Sequence, residues 1–438
     1  MTGILKKTVL TLCAGLLLGG AAQAQFYPTG SNPARLRWQQ VRPPHFQVVF
    51  PAGSDSLARV YARELERWRP VAGLSCGMLS GDVFKDRLPV ILHGCTATAN
   101  GSVSWAPRRM DLFTMPDPVA PTPIPWARLL AIHEGRHAAQ MQFGGKGVWR
   151  PWRILFGEMP AGALAGVFPG PVLLEGDAVV AETALTRSGR GRQADFLVDL
   201  MPAFDVGDFR DFYQWCYGSQ QAYAPDYYRA GYLLVAGMRV FFDDPLFTAR
   251  YFDKVSRKPG FRSLQKTVQA AADTSFRAAF RQIERRFADL WREEAAARGP
   301  FMPGRQVSPT GRLYNRYGTA AQAADGTLFV AKSGLSRSTT LVALTPHGKE
   351  RSLRPFSTAG PLYTDPDRRR IYWTEITPGL RWTLQQDARI RYIDTDRPRR
   401  SLNQYHIHRF HYIRLRLHDS HQRVLQRSPR HQRMDVYR

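Results

Sequence analysis

The sequence has little cysteine, which argues against a fold that is held together by several disulfides. Only four cysteines occur in 438 residues, and Cys13 lies in the apolar N-terminal segment. The other three, Cys76, Cys95 and Cys216, allow at most one internal disulfide, and their spacing fits no metal motif. We therefore expect no disulfide framework, and we expect these three residues to be small buried side chains.

The sequence also has no hydrophobic run that is long enough to predict a membrane span. The apolar run from Val9 to Leu18 covers only about half of the roughly twenty residues that a span needs. It follows two lysines and precedes small residues at 22–24, which is typical of a secretory signal peptide over residues 1–24. We expect the mature chain to begin at Gln25 and to be exported to the periplasm or the extracellular space. Lipidation at Cys13 is the alternative.

Acidic residues are scarce, and 36 Asp and Glu stand against 61 Lys and Arg, for a net charge of +25. Residues 397–438 hold eleven arginines, two aspartates and six of the 11 histidines, with no glycine or alanine. This composition predicts a disordered or frame-shifted tail, and the alternative is a basic tail that touches an anionic envelope surface. A nucleic-acid partner is not expected, because an export signal conflicts with it.

Strand and helix patterns alternate in the first part of the chain. Residues 45–50 and 88–94 are predicted to form strands, and residues 102–115 to form a broken strand or hairpin interrupted by Pro107. The apolar spacing from Ser54 to Trp68 predicts a helix. Another helix is predicted between Pro125 and Gly144. The resulting order of strand, helix, strand, strand and helix indicates an α+β fold.

A helical half follows these alternating elements. Helices are predicted over residues 173–186, 226–242 and 274–298, the last with apolar residues three and four positions apart. The apolar segment 154–174 is interrupted by prolines, and we interpret it as a buried or membrane-touching loop that does not span.

Beyond about Leu313 the pattern changes to short alternating strands separated by turns. Two units of about forty residues begin near Leu313 and Gly360, a period typical of β-propeller blades. Two blades cannot close a ring that needs at least about four. We predict a partial propeller over residues 301–396, after a larger domain over residues 25–300.

The segment LLAIHEGRHAAQMQF, residues 129–143, contains the pattern H-E-x-x-H. Residues four apart share one face of a helix, so His133 and His137 can direct both imidazoles at one ion. Glu134 is turned by about one hundred degrees from His133, where it can reach a metal's water without being a ligand. Chance produces this pattern in about one such chain in a hundred. We therefore predict a zinc site.

A second motif follows downstream in LLEGDAVVAET, residues 173–183. Together with the H-E-x-x-H helix, the Glu-Gly-x-Ala stretch at residues 175–178 resembles the gluzincin metallopeptidases. More closely, four segments resemble bacterial envelope proteins that join a peptidase-MA-like gluzincin domain to a TolB-type propeller. These segments are ANGSVSWAPRRMDLFTMP, LAIHEGRHAAQ, LLEGDAVVAETALTRSGRGR and PDYYRAGYLLV, and the resemblance covers about residues 40–300.

The resemblance implies a secreted zinc metallopeptidase with a zincin-type domain and a peptide or protein substrate. Zinc would be held by His133, His137 and Glu175 and would lower the pKa of its water from 15.7 to about 7, with Glu134 as general base. The segment 105–113 is a candidate edge for pairing with an extended peptide. The rival hypothesis is a non-catalytic envelope-binding protein that uses a zincin scaffold and a propeller interaction module. The sequence indicates no particular oligomeric state.

The third ligand has alternatives, because 37 residues separate His137 from Glu175, more than in aminopeptidase-type gluzincins. Glu182, two helical turns further on the same side, is the alternative ligand. Glu158 and Asp177 are weaker candidates, and a helix cap or surface charge is the simpler reading of each.

One predicted helix carries residues that the resemblance places near the reaction. Tyr228, Arg229 and Tyr232 lie where related enzymes keep groups that stabilise an oxyanion. Ordinary helix packing is the alternative explanation for all three.

Overall fold

The structure is a computed structural model that describes residues 31–78, 86–118, 122–218, 223–300, 304–358 and 360–398, and the short strands 403–405, 425–427 and 434–436. The predicted signal peptide lies outside these residues. The described part is a mixed α+β structure with several sheets, none of them closed.

A five-stranded sheet forms the first part of the fold. Its strands are β1 (Trp38–Val41), β2 (Phe46–Pro51), β3 (Leu88–His93), β4 (Gly101–Ser104) and β5 (Arg109–Phe113), in the order β1-β2-β3-β5-β4. The three central strands are parallel, and β1 and β4 are antiparallel to their neighbours. The segment 105–113 was the predicted free edge, but β5 lies inside the sheet, and β4 is the edge strand.

Two helices cover one face of this sheet. They are α1 (Asp55–Ala72) and α2 (Trp126–Gln140). Alternate residues of β2 are buried and pack with α1 and α2 in one apolar core that includes Val48, Leu65, Leu92 and Leu130. The helix predicted from Ser54 is confirmed, although the Ser54 side chain makes no cap hydrogen bond.

Ten further helices form the helical half: α3 (Arg150–Phe156), α4 (Met159–Val167), α5 (Gly170–Leu185), α6 (Ala194–Leu197), α7 (Met201–Asp205), α8 (Phe212–Tyr217), α9 (Tyr227–Phe241), α10 (Phe247–Arg257), α11 (Ser263–Ala272) and α12 (Phe276–Arg298). The three predicted helices correspond to α5, α9 and α12. The loop predicted over residues 154–174 is wrong, because this segment is mainly helical. Its prolines, and Pro151 before it, lie in or next to the first turns of α3, α4 and α5, where proline costs no hydrogen bond.

Helices α5 and α9 cross at very short distance. A Cβ atom at Gly176 would lie 2.1 Å from the carbonyl carbon of Gly231, and one at Gly231 would lie 1.9 Å from the Val172 carbonyl oxygen. Only glycine allows this approach, so the crossing fixes the position of α5. Glu175 is the residue directly before the contact.

Within the described ranges, no single helix is both long and apolar enough to cross a membrane. Helices α4 and α5 meet the requirement only as a pair, and the pair is bent by 92°. Much of α5 is buried in the protein core, including Leu173, Val179 and Val180.

Two four-stranded antiparallel sheets follow the helical half. The first has β6 (Asn315–Gln322), β7 (Leu328–Gly334), β8 (Arg337–Leu344) and β9 (Glu350–Pro355), and the second has β10 (Tyr363–Thr364), β11 (Arg370–Pro378), β12 (Gln386–Asp394) and β13 (Asn403–Tyr405). They share an apolar cluster that includes Phe329, Leu341, Phe356, Ile371 and Trp373. The predicted change to alternating strands is confirmed.

The predicted tail, residues 397–438, is described only in small part. It contributes β13 to the second sheet and a two-stranded ribbon of β14 (Leu425–Arg427) and β15 (Met434–Val436). Most of the tail lies outside the described residues, so its disorder stays a prediction.

The C-terminal sheets contact both parts of the preceding fold. The side-chain oxygen of Gln386 accepts hydrogen bonds from Thr96, Ala97 and Thr98, in the loop that leads to β4. On the helical side, Tyr314 stacks on Tyr223 with ring centroids 3.6 Å apart. The sheets therefore hold the segment that precedes the edge strand.

Candidate metal centre

The two histidines of the H-E-x-x-H motif lie on the buried side of α2. His133 and His137 are 7% and 8% exposed, and their rings meet edge to face with centroids 4.8 Å apart. One helical turn separates them, so both Nε2 atoms point to the same place. The Nε2 atoms are 3.2 Å apart.

Glu175 on α5 completes this arrangement. Its Oε2 atom lies 3.1 Å from the Nε2 of His133 and 3.2 Å from the Nε2 of His137. Burial raises the pKa of Glu175, but the interaction with the two histidines outweighs burial and holds the pKa well below its usual range. The third ligand expected from the resemblance is thus beside both histidines.

The chemistry and spacing of these three atoms fit a zinc ion. Two imidazole nitrogens and one carboxylate oxygen are common zinc ligands, and ligands about 2.05 Å from a tetrahedral zinc lie about 3.3 Å apart. The observed separations of 3.1, 3.2 and 3.2 Å are close to that value. Since two imidazole lone pairs and a carboxylate repel one another at this distance, a cation or a proton is needed between them. This is the one group in the described ranges that could hold a metal ion by the clustering of its ligand atoms.

Gln140 orients His137 from the side opposite to the cluster. The Nδ1–H of His137 donates to Gln140 Oε1 over 2.9 Å, which leaves the Nε2 lone pair free for a metal. The amide of Gln140 donates in turn to Asp177 Oδ2, at 2.7 Å, and to the Leu174 carbonyl oxygen, at 3.1 Å. Gln140 therefore ties the motif helix to α5.

His133 is oriented by an ion pair between Glu182 and Arg190. The Arg190 Nη2 atom lies 2.9 Å from the Nδ1 of His133, and the Arg190 Nε donates to Glu182 Oε1 at 2.6 Å. Glu182 Oε2 lies 3.7 Å from the same Nδ1. Burial and Arg190 lower the pKa of His133, but hydrogen bonds with Glu175 and Glu182 outweigh them and raise it to about 9. Glu182, the alternative ligand, thus faces the outer nitrogen of His133 and not the cluster.

Asp177 is neither a surface charge nor a ligand in this structure. It is fully buried and accepts hydrogen bonds from Arg136, at 2.7 and 2.8 Å, and from Arg239, at 3.3 Å. Arg136 is also fully buried and reaches the Ala72 carbonyl oxygen at the end of α1. The sequence expectation of a cap or surface charge is therefore wrong. Asp177 links α1, α2, α5 and α9 beneath the cluster.

The side chain of Glu134, on α2, lies beside the edge strand β4. It is 3% exposed, and its Oε2 atom has no hydrogen-bond partner among the residues that the structure describes. Burial raises the pKa of this carboxyl group. A Cβ atom on Gly101 of β4 would lie 2.5 Å from Glu134 Oε1, so glycine at this position makes room for the carboxylate.

The three candidates on α9 have different surroundings. Burial and the nearby Glu175 carboxylate raise the pKa of Tyr228, whose hydroxyl is within hydrogen-bonding reach of Glu175, and Arg190 lies over its ring. Tyr232 packs edge to face on Phe196 and donates to the Gly191 carbonyl oxygen. The Arg229 side chain pairs with Asp226, and Glu158 pairs with Arg108. Only Tyr228 is therefore at the cluster.

Sequence reasoning missed Arg190, Arg136, Gln140 and Gly101. Gln140 had a signal, because it lies one turn beyond His137 on the same face of the motif helix. Arg190 and Arg136 had none, since their partners are 8 and 41 residues away and come close only through tertiary packing. Gly101 is one of 36 glycines, and only the packing of β4 on α2 distinguishes it.

Comparisons with known proteins do not place the chain in a family. The sequence matches no protein-family model, and it is not significantly similar to any curated protein.

Proposed function

We propose that the protein is an exported zinc metallopeptidase of gluzincin type. The observation that carries this proposal is the convergence of His133 Nε2, His137 Nε2 and Glu175 Oε2 beside a buried, unpartnered Glu134 carboxylate oxygen. A structural zinc site needs four closed ligands and no nearby base, whereas a hydrolytic site keeps three ligands and a base.

His133, His137 and Glu175 would hold the ion. When bound, zinc lowers the pKa of water to about 7 and polarises a carbonyl group, which is the chemistry that peptide hydrolysis needs. Gln140 would hold the His137 imidazole in the orientation that ligation requires, and the Glu182 carboxylate would face the Nδ1 of His133.

Glu134 would move the proton. It would accept a proton from the attacking water and deliver it to the leaving amine. Burial raises the pKa of its carboxyl group, and a raised pKa makes the carboxylate a stronger proton acceptor. Tyr228, which interacts with Glu175, would donate a hydrogen bond toward the carbonyl oxygen of a substrate bound at the cluster.

The edge strand β4 would bind the substrate backbone. It begins at Gly101, beside Glu134, and its outer side has no neighbouring strand among the described residues. An extended peptide can pair with such an edge through main-chain hydrogen bonds. The two C-terminal sheets would be blades of a partial TolB-type propeller that hold the loop before β4.

The test is the variant Glu134→Gln in the mature protein, with Glu293→Gln on the surface of α12 as the matched control. Glutamine keeps the shape but cannot take the proton, so peptide hydrolysis should fall by at least about a hundredfold while zinc stays bound. The control should change neither property. Full hydrolysis by Glu134→Gln would eliminate this mechanism. A zinc-loaded wild-type protein that cleaves no unfolded protein substrate would favour the non-catalytic envelope-binding alternative.

A further inference from the structure

Helices α3 and α4 expose large apolar side chains that no other part of the described chain covers. No residue of α3 is buried. Leu155 is 73% exposed, Ile154 is 69% exposed and Phe156 is 56% exposed. We call the exposed apolar residues of this region the ridge: Val148, Trp152, Ile154, Leu155, Phe156, Met159 and Val167. The surface of a soluble protein rarely exposes apolar side chains of this size next to one another. We therefore expect the ridge to bind another surface, which we call its occupant.

Aromatic rings extend the ridge toward a second loop. The Trp152 and Phe156 rings stack with centroids 5.7 Å apart. Phe168, just beyond α4, stacks against Phe261, which is 88% exposed and lies in the loop between α10 and α11. Trp149, directly before α3, also contacts Phe168, with ring centroids 5.7 Å apart, so the two segments are linked through Phe168.

The charges around the ridge are positive. Arg150, Lys258 and Arg262 are exposed beside these apolar residues. Glu158 is the one acidic residue between 144 and 168, and it is paired with Arg108, whose backbone N–H donates to it at 2.6 Å. At the end of α10, just before the second loop, Asp253 is paired with Arg257. The occupant should therefore be apolar at its centre and negative at its rim.

An anionic lipid surface has this combination of properties. Trp, Phe, Leu and Met side chains enter the boundary between headgroups and acyl chains, while Arg and Lys stay at the phosphates. Helix α3 has seven residues and is about 10 Å long, far short of the roughly 30 Å hydrocarbon core. It can lie in the interface but cannot cross it.

We propose that the ridge and Phe261 seat the protein on an anionic membrane surface. The proposal is independent of the peptidase chemistry, because the ridge residues are outside the His133, His137 and Glu175 cluster. In this proposal, the part of segment 154–174 that lies in α3 and α4 contacts the lipid surface, and α5 does not.

The test is sedimentation of the full mature chain with phosphatidylcholine vesicles that contain about one-third phosphatidylglycerol, compared with pure phosphatidylcholine vesicles. The triple variant Ile154→Ser, Leu155→Ser, Phe156→Ser removes three large side chains from the interface. Because each contributes about a tenfold factor to partitioning, binding to the anionic vesicles should fall by at least about a hundredfold. The single variant Leu155→Ser, which changes one exposed side chain, should bind the anionic vesicles about tenfold more weakly. It keeps the proposal testable if the triple variant misfolds.

The matched control replaces three equally exposed apolar residues elsewhere, Val206, Val240 and Leu380, with serine. It should bind vesicles as the wild type does, and all variants should keep the wild-type unfolding temperature. Three results would overturn the proposal. They are a wild type that does not bind anionic vesicles, ridge variants that bind undiminished through the basic tail, and a wild-type dimer that the ridge variants convert to a monomer.

Discussion

The variant Gly101→Ala tests the placement of Glu134 beside the edge strand. The added Cβ would lie 2.5 Å from Glu134 Oε1 and 2.9 Å from both Cδ and Cγ, whereas ordinary contact begins at 3.4 Å. The Glu134 carboxylate must therefore retreat by about 0.9 Å. A shift of about 1 Å in a reacting group costs about a hundredfold in rate.

The expected result is a selective loss of hydrolysis. The value of kcat should fall by about a hundredfold, while zinc content and unfolding temperature change little, because a side chain moves and not the backbone. The assay is hydrolysis of an unfolded protein substrate, together with zinc stoichiometry and thermal unfolding of the same preparation.

The matched control is Gly135→Ala, next to Glu134 in the sequence. Its added Cβ would meet only the Ala72 Cβ, at an ordinary 3.6 Å. This variant should keep full activity. If Gly101→Ala is as active as the wild type, Glu134 does not act from the position that the structure gives it.

Two further predictions concern the groups beneath the cluster. Asp177→Ala leaves Arg136 buried without its partner, so urea unfolding should show a loss of about 3–5 kcal/mol. Burial raises the pKa of Asp177, but Arg136 and Arg239 outweigh it and lower the pKa. The contribution of Asp177 to the free energy of unfolding is therefore complete above about pH 4 and is lost as the pH falls through the depressed pKa. In a pH series of unfolding curves, Asp177→Asn should show a smaller loss of stability at low pH than the wild type. Gln140→Ala frees the Nδ1 of His137 and should weaken zinc binding by about tenfold to a hundredfold in a chelator competition, and an unchanged affinity would show that Gln140 does not orient the ligand.

The sequence predicted what depends on local periodicity. The four-residue spacing of His133 and His137 determines a shared helical face wherever the helix lies, and the helices around Glu175 and Tyr228 follow from their apolar spacing. The convergence of Glu175 with the histidines was an expectation from family resemblance, and its geometry depends on the glycine contact between α5 and α9.

Other features could not be predicted, because long-range packing decides them. The prolines of residues 154–174 suggested a loop, but each can begin a helix, and the choice depends on what the following turns pack against. Asp177 looks like a surface residue in the sequence, and only the approach of Arg136 from α2 allows its burial. Strand β4 precedes β5 in the sequence but lies outside β5 in the sheet. Its edge position therefore depends on the strand order, which long-range packing decides.

Zinc affinity of the Glu175→Ala protein tests the central claim most directly. The wild type should bind one zinc ion per chain, and Glu175→Ala should lose more than about a hundredfold in affinity by chelator competition, because one of three ligands is gone. Glu182→Ala, which removes the carboxylate that faces the outer nitrogen of His133 and pairs with Arg190, should lose about tenfold to a hundredfold. A folded Glu175→Ala protein that binds zinc as tightly as the wild type, or a wild type that binds none, would contradict the proposed metal centre.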